Sequence, residues 1–245
     1  VLSALPSDKF PNLSQLLPAM TPENIQREWT GSSGDTLLRQ STSFMNFVSA
    51  TFTEFTGRPL QGENVLDFGC GWGRLLRLMS FFNDPQFIYG CDAWQVSLNH
   101  SAAAKIDRVV NSIRKSDEIP TSLPFKDVEF SLVYAFSIFT HLSPKSAVAC
   151  MSALRKSMAP NGITIISVRP AEFWSFNKNV PEAAREKLAR QHASGEVAFH
   201  AINANYGDTS IPLEAIPSLF KGWEIVRAGA TMVDPYQIFT VLRPT

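Results

Sequence analysis

Asp67, Gly69, Gly71, Gly73 and Asp92 are the residues of this chain whose types and spacing could do chemistry together. Glycines at alternate positions let a ligand approach the backbone where no Cβ stands in the way, and loop amides ahead of a helix would face it. A carboxylate two residues before the first glycine would repel a pyrophosphate and attract an ammonium. The spacing is G-x-G-x-G, and the third glycine of a dinucleotide fingerprint would fall on Arg74. The expected ligand therefore has a cationic end. Further along, His141, His200 and Asp208 could take a proton from a nucleophile, and no feature of the sequence chooses among them. His141 also reads as a residue that orients the turn before Ser143-Pro144.

The elements that must position these residues follow from periodicity. Val65, Leu66 and Phe68 read as a buried strand, and Leu75, Leu76 and Met79 as the apolar face of the helix after the glycines. A second strand, Phe87 to Cys91, delivers Asp92. A helix from Trp94 to Ala104 and a strand from Val109 to Ile113 come next, with Trp94 either beside the ligand or in the helix core. Phe130 to Phe136 is apolar enough for a central strand. Ser143 and Pro144 start a helix that runs over Ala147 to Met158, and Ile163 to Val168 is a fifth strand. This alternation predicts an α/β fold, doubly wound around a mostly parallel sheet.

Residues 1–60 read as an N-terminal helical cap, with a helix start at Thr21-Pro22-Glu23 and an amphipathic helix from Asp35 to Gly57. The intervening Gly31 to Gly34 is either a strap over the ligand or an ordinary linker. Residues 61–245 form the main domain, with residues 169–210 as a lid-like helical insertion after strand five. That segment carries a helical stretch from Pro181 to His192 and reads as too short for a core of its own, so Phe173, Trp174, Phe176 and Phe199 are expected to need a partner to pack on. A short helix, Pro212 to Lys221, leads to strands Trp223 to Ala230 and Tyr236 to Leu242, joined by Thr231 to Pro235, which makes the last strand antiparallel.

Asp67-Phe-Gly69-Cys70-Gly71-Trp-Gly73, with the following Gly-Cys-Asp92, resembles the first two motifs of the class I S-adenosylmethionine-dependent methyltransferases. The likeness extends over roughly residues 60 to 170 and resumes at the C-terminus. It implies seven strands in the order 3-2-1-4-5-7-6 and S-adenosylmethionine as cofactor. By the same resemblance, the backbone of Gly69, Cys70 and Gly71 packs on the methionine part, Asp67 lies near its amino group, and Asp92 accepts from both ribose hydroxyls. Ala93 and Trp94 on one side and Asp117 and Ile119 on the other flank the adenine, and Ala135 and Phe136 lie under the methionine part. The activity implied is methyl transfer to oxygen, nitrogen or carbon of a small molecule. The rivals are a nicotinamide-dependent oxidoreductase, which Arg74 and Asp67 argue against, and a module that holds the cofactor without turnover.

The 245 residues are 44% hydrophobic, enough for one sizeable domain with an elaboration. A net charge of +0 offers no electrostatic footprint for nucleic acid or an acidic membrane. No apolar run of spanning length and no signal-peptide pattern is present, so a soluble, cytoplasmic chain is expected. Val1 in place of an initiator Met reads as a trimmed or excised piece of a longer chain. Cys70, Cys91 and Cys150 have no metal-ligand spacing, and neither a metal nor a disulfide framework is expected.

Overall fold

The computed structural model describes residues 17–231 and 234–245. The start of the expected cap, residues 1–16, and the turn residues Met232 and Val233 lie outside the described residues. The chain forms two compact units, Val1–Lys115 and Ser116–Thr245. The sheet has seven strands, and a separate pair forms a second sheet.

In the first unit, α1 (Glu23–Thr30) ends where Gly31 turns left-handed at φ 75°. Three residues later α2 (Gly34–Thr56) begins, and it ends at Gly57, again left-handed. The linker between the helices is tied down: the Arg27 guanidinium donates to Ser33 Oγ at 2.7 Å. One stripe of α2, Leu37, Ser41, Phe44, Met45, Val48 and Phe52, is buried as its spacing predicts. Strand β1 (Val65–Phe68), helix α3 (Arg74–Met79), strand β2 (Ile88–Asp92) and helix α4 (Gln95–Ala103) follow. The third strand is the one clear displacement in this unit. Val109 belongs to a 3-10 turn, Ile106–Val109, and β3 is Ser112–Lys115. The apolar residues there are turn residues that fill the core, Ile106 at 0% exposure, so hydrophobicity marked packing and not the strand. Strands β1, β2 and β3 are parallel.

In the second unit β4 (Phe130–Ala135), buried along its whole length, pairs in parallel with β5 (Met158–Val168). Between them α5 (Pro144–Lys156) is capped by Ser143, whose Oγ accepts from the Ser146 amide. Strand β5 starts five residues earlier than the periodicity suggests, with a break in register opposite Phe130 and Leu132. After β5 come α6 (Phe173–Phe176), α7 (Glu182–Ala193) and the antiparallel pair β6 (Ala198–Ala201) and β7 (Gly207–Ser210). The chain closes with α8 (Ile216–Leu219), β8 (Trp223–Thr231) and β9 (Asp234–Pro244). Strand β9 runs antiparallel to both β5 and β8. The sheet order is β3-β2-β1-β4-β5-β9-β8, which without the β6–β7 pair is the implied 3-2-1-4-5-7-6. No helix among the described residues is long and apolar enough to cross a membrane.

The insertion differs from expectation in two ways. It contains a hairpin as well as helices, because four-residue strands such as Ala-Phe-His-Ala carry too little alternation to be read. It also has a small core of its own, in which Trp174, Val180, Leu188 and Ala198 are buried together. The Trp174 indole donates to Ser210 Oγ at 2.7 Å, so this ring is satisfied within the segment. Gly207 is where the hairpin strands come closest, since a Cβ there would lie 2.1 Å from the His200 carbonyl oxygen. Gly207→Ala is therefore expected to lower stability by about 1–3 kcal/mol, read as a shifted urea midpoint; an unchanged midpoint would mean that the hairpin can spread at no cost.

Candidate functional site

The glycine loop joins β1 to α3, and its three glycines do different jobs. Gly69 turns the chain at φ 77°. Gly73 is left-handed too, at φ 87°, and a Cβ on it would collide with Ile106 Cγ1 at 2.6 Å, so it permits close packing. Gly71, at φ 56°, has nothing within 4 Å of where a Cβ would be, so open space lies in front of its backbone.

The loop amides face inward, contrary to the expectation that they would meet a ligand. Gly69 and Cys70 both donate to the Cys91 carbonyl, at 2.8 and 3.0 Å, and Gly73 donates to Cys70 at 2.9 Å. The Gly71 amide donates to Asp92 Oδ2 at 2.8 Å. The helix behind the loop is only six residues long, too short for its dipole to compensate. Among the described residues this is therefore not an anion cradle of the phosphate-binding kind.

What the loop does present is negative charge. Asp67, the third residue of the fully buried β1, is 2% exposed, and Asp92 ends β2 at 9%. The Cys70 thiol registers both: burial pushes its pKa well above the ordinary value, and the charges on Asp67 and Asp92 push it further. Asp92 itself is raised by burial, against the lowering effect of bonds from the Trp94 and Gly71 amides and the Ser97 hydroxyl. Its Oδ1 accepts from Trp94 N at 2.8 Å. A carboxylate has about four acceptor positions, and three are occupied here, which leaves room for about one ribose hydroxyl unless Ser97 turns away. Ser97 was not legible in the sequence, where it is one small polar residue on a helix. Ala93 is half-buried beside Asp92, and Trp94 is 45% exposed at the N-cap of α4, which removes it from the helix core. All three cysteines are free and buried.

The remaining expected residues belong to the second unit. Asp117 is exposed and Ile119 half-buried in the loop that opens it, Ala135 ends β4 fully buried, and Phe136 follows half-buried. The Phe136 ring lies 5.7 Å from that of Phe239. The next residue, Ser137, is left-handed at φ 61°, with its amide held by Ser167 Oγ at 2.7 Å.

The second unit also gathers two of the three candidate bases around a residue that the sequence did not single out. Arg169, directly after β5, donates through Nη1 to Asp208 Oδ1 at 2.6 Å and to the Thr140 carbonyl at 2.8 Å. Its guanidinium sits 3.9 Å from the centre of the Phe173 ring. His141 Nδ1 lies 2.9 Å from the Gly207 carbonyl, which can only accept, so that nitrogen carries the proton. His141 Nε2, 3.2 Å from Arg169 Nη2, is then the acceptor of a donor-only group. Burial and the Arg169 charge lower the His141 pKa to about 4, against a smaller raising effect of Gly207 and Asp208. Asp208 also takes a bond from Asn177 Nδ2 at 2.8 Å. Burial alone would raise its pKa, but Arg169, Asn177 and His141 together hold it below the usual carboxylate range. His200 lies opposite Asp208 on the facing strand, half-buried.

Residues 65–162 match the family model described as a methyltransferase domain. The sheet order and this match give the chain a methyltransferase fold. Solved structures of like fold include the PH0226 protein of Pyrococcus horikoshii, with a TM-score of 0.60 and 15% identity over 90% of this chain and 98% of that one. An S-adenosylmethionine-dependent methyltransferase from Clostridium acetobutylicum has a TM-score of 0.57 and 12% identity over 90% of this chain and 96% of its own. Magnesium protoporphyrin IX methyltransferase from Synechocystis, solved with bound S-adenosylhomocysteine, has a TM-score of 0.55 and 16% identity over 100% and 98%. Within the matched residues, a loop whose Gly69, Cys70 and Gly71 amides are already bonded suits a ligand with a cationic end better than a pyrophosphate.

Because both Asp92 oxygens accept amide protons, Asp92→Asn would turn one bond into a donor–donor contact. The loss of stability expected is about 1–3 kcal/mol, measured by urea denaturation, and a variant as stable as the parent would show that the bonds to Gly71 and Trp94 hold nothing in place.

Proposed function

We propose that this chain transfers a methyl group from S-adenosylmethionine to a small-molecule nucleophile at oxygen, nitrogen or carbon. The observation that carries the reading is the buried Asp92 carboxylate bonded to the amide of Gly71, in front of which space is open, with a second buried carboxylate, Asp67, acting on the neighbouring Cys70. Bound there, the cofactor supplies a methyl group activated by positively charged sulfur. Asp67 holds the ammonium, directly or through water, Asp92 holds the ribose, and Gly71 admits the methionine part against its backbone. Trp94, exposed at the start of α4, would cover the adenine. Positioning and exclusion of water then supply much of the rate in an in-line displacement.

A net charge of +0 supports a small acceptor over nucleic acid. Of the three candidate bases, His141 and Asp208 are bonded to Arg169, whereas His200 stands opposite Asp208 on the facing strand. It is the residue we assign to take a proton where the acceptor carries one. The nicotinamide reading is disfavoured, because a pyrophosphate would meet Asp67 and Asp92 with the amides of Gly69, Cys70 and Gly71 turned away.

S-adenosylmethionine and S-adenosylhomocysteine are expected to raise the melting temperature and NAD to leave it unchanged, since only a ligand of the folded state stabilises it. A shift with NAD alone would defeat the proposal. In Asp67→Asn, affinity for S-adenosylhomocysteine should fall about tenfold or more while affinity for adenosine holds; equal losses for both ligands would mean that Asp67 does not face the amino group.

A further inference from the structure

The insertion is fastened to the turn after β4 by a continuous set of bonds. The amides of Gly207 and Thr209 donate to the carbonyls of His141 and Thr140, each at 2.9 Å, and Ser143 N donates to Asn205 O at 2.9 Å. Thr209 Oγ1 donates to the Leu142 carbonyl at 2.7 Å, and Leu142 and Tyr206 form a bridge. Strand β7 is thus paired on one edge with β6 and held on the other by residues 140–143. At the centre of this seam lies the cluster of His141, Arg169 and Asp208.

Every charged or titratable group facing His141 bears on its proton. Arg169, from the segment after β5, points donors at Nε2. Asp208, from β7, has Oδ1 3.6 Å from Nδ1, but the same oxygen is bonded to Arg169. Tyr206, from the loop before β7, stacks on the ring at 5.2 Å between centroids. The Gly207 carbonyl fixes the proton on Nδ1. A ring so placed has one position left for a second proton, and that position is already bonded to a cation.

We propose that this cluster is a proton-sensitive latch: uptake of a proton at His141 Nε2 breaks the bond from Arg169, and residues 169–210 come away from the turn at 140–143 while the sheet stays folded. In the proton-bound state two donor-only cations would stand 3.2 Å apart, which the shared charge of Asp208 does not offset. The latched state favours the neutral ring, with a pKa lowered from 6.5 to about 4, so the opened state binds the extra proton between those values. By linkage, opening becomes easier by up to tenfold for each pH unit below 6.5, and the dependence ends near 4, where the latched ring also protonates. The own core of the insertion, around Trp174 and Leu188, lets it move as a piece.

The test is hydrogen exchange by mass spectrometry on the full chain at pH 7, 6 and 5, with rates corrected for the intrinsic pH dependence of exchange. From pH 7 to 5, protection in peptides covering α7, β6 and β7 is expected to fall by roughly twentyfold, while peptides covering β1, β2 and β5 keep theirs. In His141→Asn, which keeps a donor for the Gly207 carbonyl and cannot gain a proton, the fall should shrink to less than about threefold. Should that variant fail to fold, NMR titration of the His141 ring in the parent chain decides: a midpoint near 4 accompanied by the loss of protection supports the latch. Protection independent of pH, a fall shared equally by the sheet, a fall retained in His141→Asn, or a ring that titrates near 6.5 with the insertion still protected would each overturn it.

Discussion

The carboxylate of Asp92 is the point on which the first unit depends. It stands at the end of β2, accepts the Gly71 amide from the loop after β1 and the Trp94 amide at the start of α4, and so fixes two loops with one charged group. Charge-assisted bonds of this kind are stronger than neutral ones, and burial at 9% exposure strengthens them further by excluding competing water. The cost is a carboxylate kept ionised away from solvent, which appears as its raised pKa. With Gly71 bonded to Asp92 and Gly69 and Cys70 bonded to the Cys91 carbonyl, the loop turns these donors inward.

The second unit solves a different problem, which is how to hold about forty residues of insertion after an interior strand. A small core around Trp174 keeps the segment in shape, and Arg169 fastens it by pairing with Asp208, the Thr140 carbonyl and His141 at once. A planar, permanently charged group with five donors suits such a junction, where a lysine would satisfy fewer partners in fixed directions. The same junction explains why two histidine and aspartate side chains that could act as bases are not available as such: Asp208 is held ionised by its partners, and the acceptor nitrogen of His141 is already in use.

How legible this was depended on whether a residue acts through its neighbours in sequence. The α/β class followed from apolar runs such as Phe130–Ala135, and the stripe of α2 from Leu37 to Phe52, because burial of contiguous or periodic residues is a local signal, whereas the order of strands in the sheet came from the family resemblance. Asp67 and the glycines were visible through their spacing, but the direction of the amides was not, since it depends on Asp92 twenty-one residues away. Strand β3 was misplaced because Ile106 and Val109 are apolar for the sake of a turn. Arg169 carried no signal at all: its partners lie 28 to 39 residues distant, and an arginine after a strand usually means a solvated end. The insertion hairpin stayed hidden because pairing of four-residue strands is decided by Gly207 and the seam at 140–143, not by alternation.

The most direct test of the account is the behaviour of the Gly71 and Trp94 amide protons in the isotopically labelled chain. If Asp92 holds both, they exchange slowly with solvent in the absence of any ligand, and both resonances move in a saturable, one-to-one manner as S-adenosylhomocysteine is added, while inorganic pyrophosphate leaves them in place. Amides that exchange as fast as those of an open loop, or that respond to pyrophosphate and not to S-adenosylhomocysteine, would contradict the claim that this loop is an inward-bonded, acidic site for a cationic cofactor.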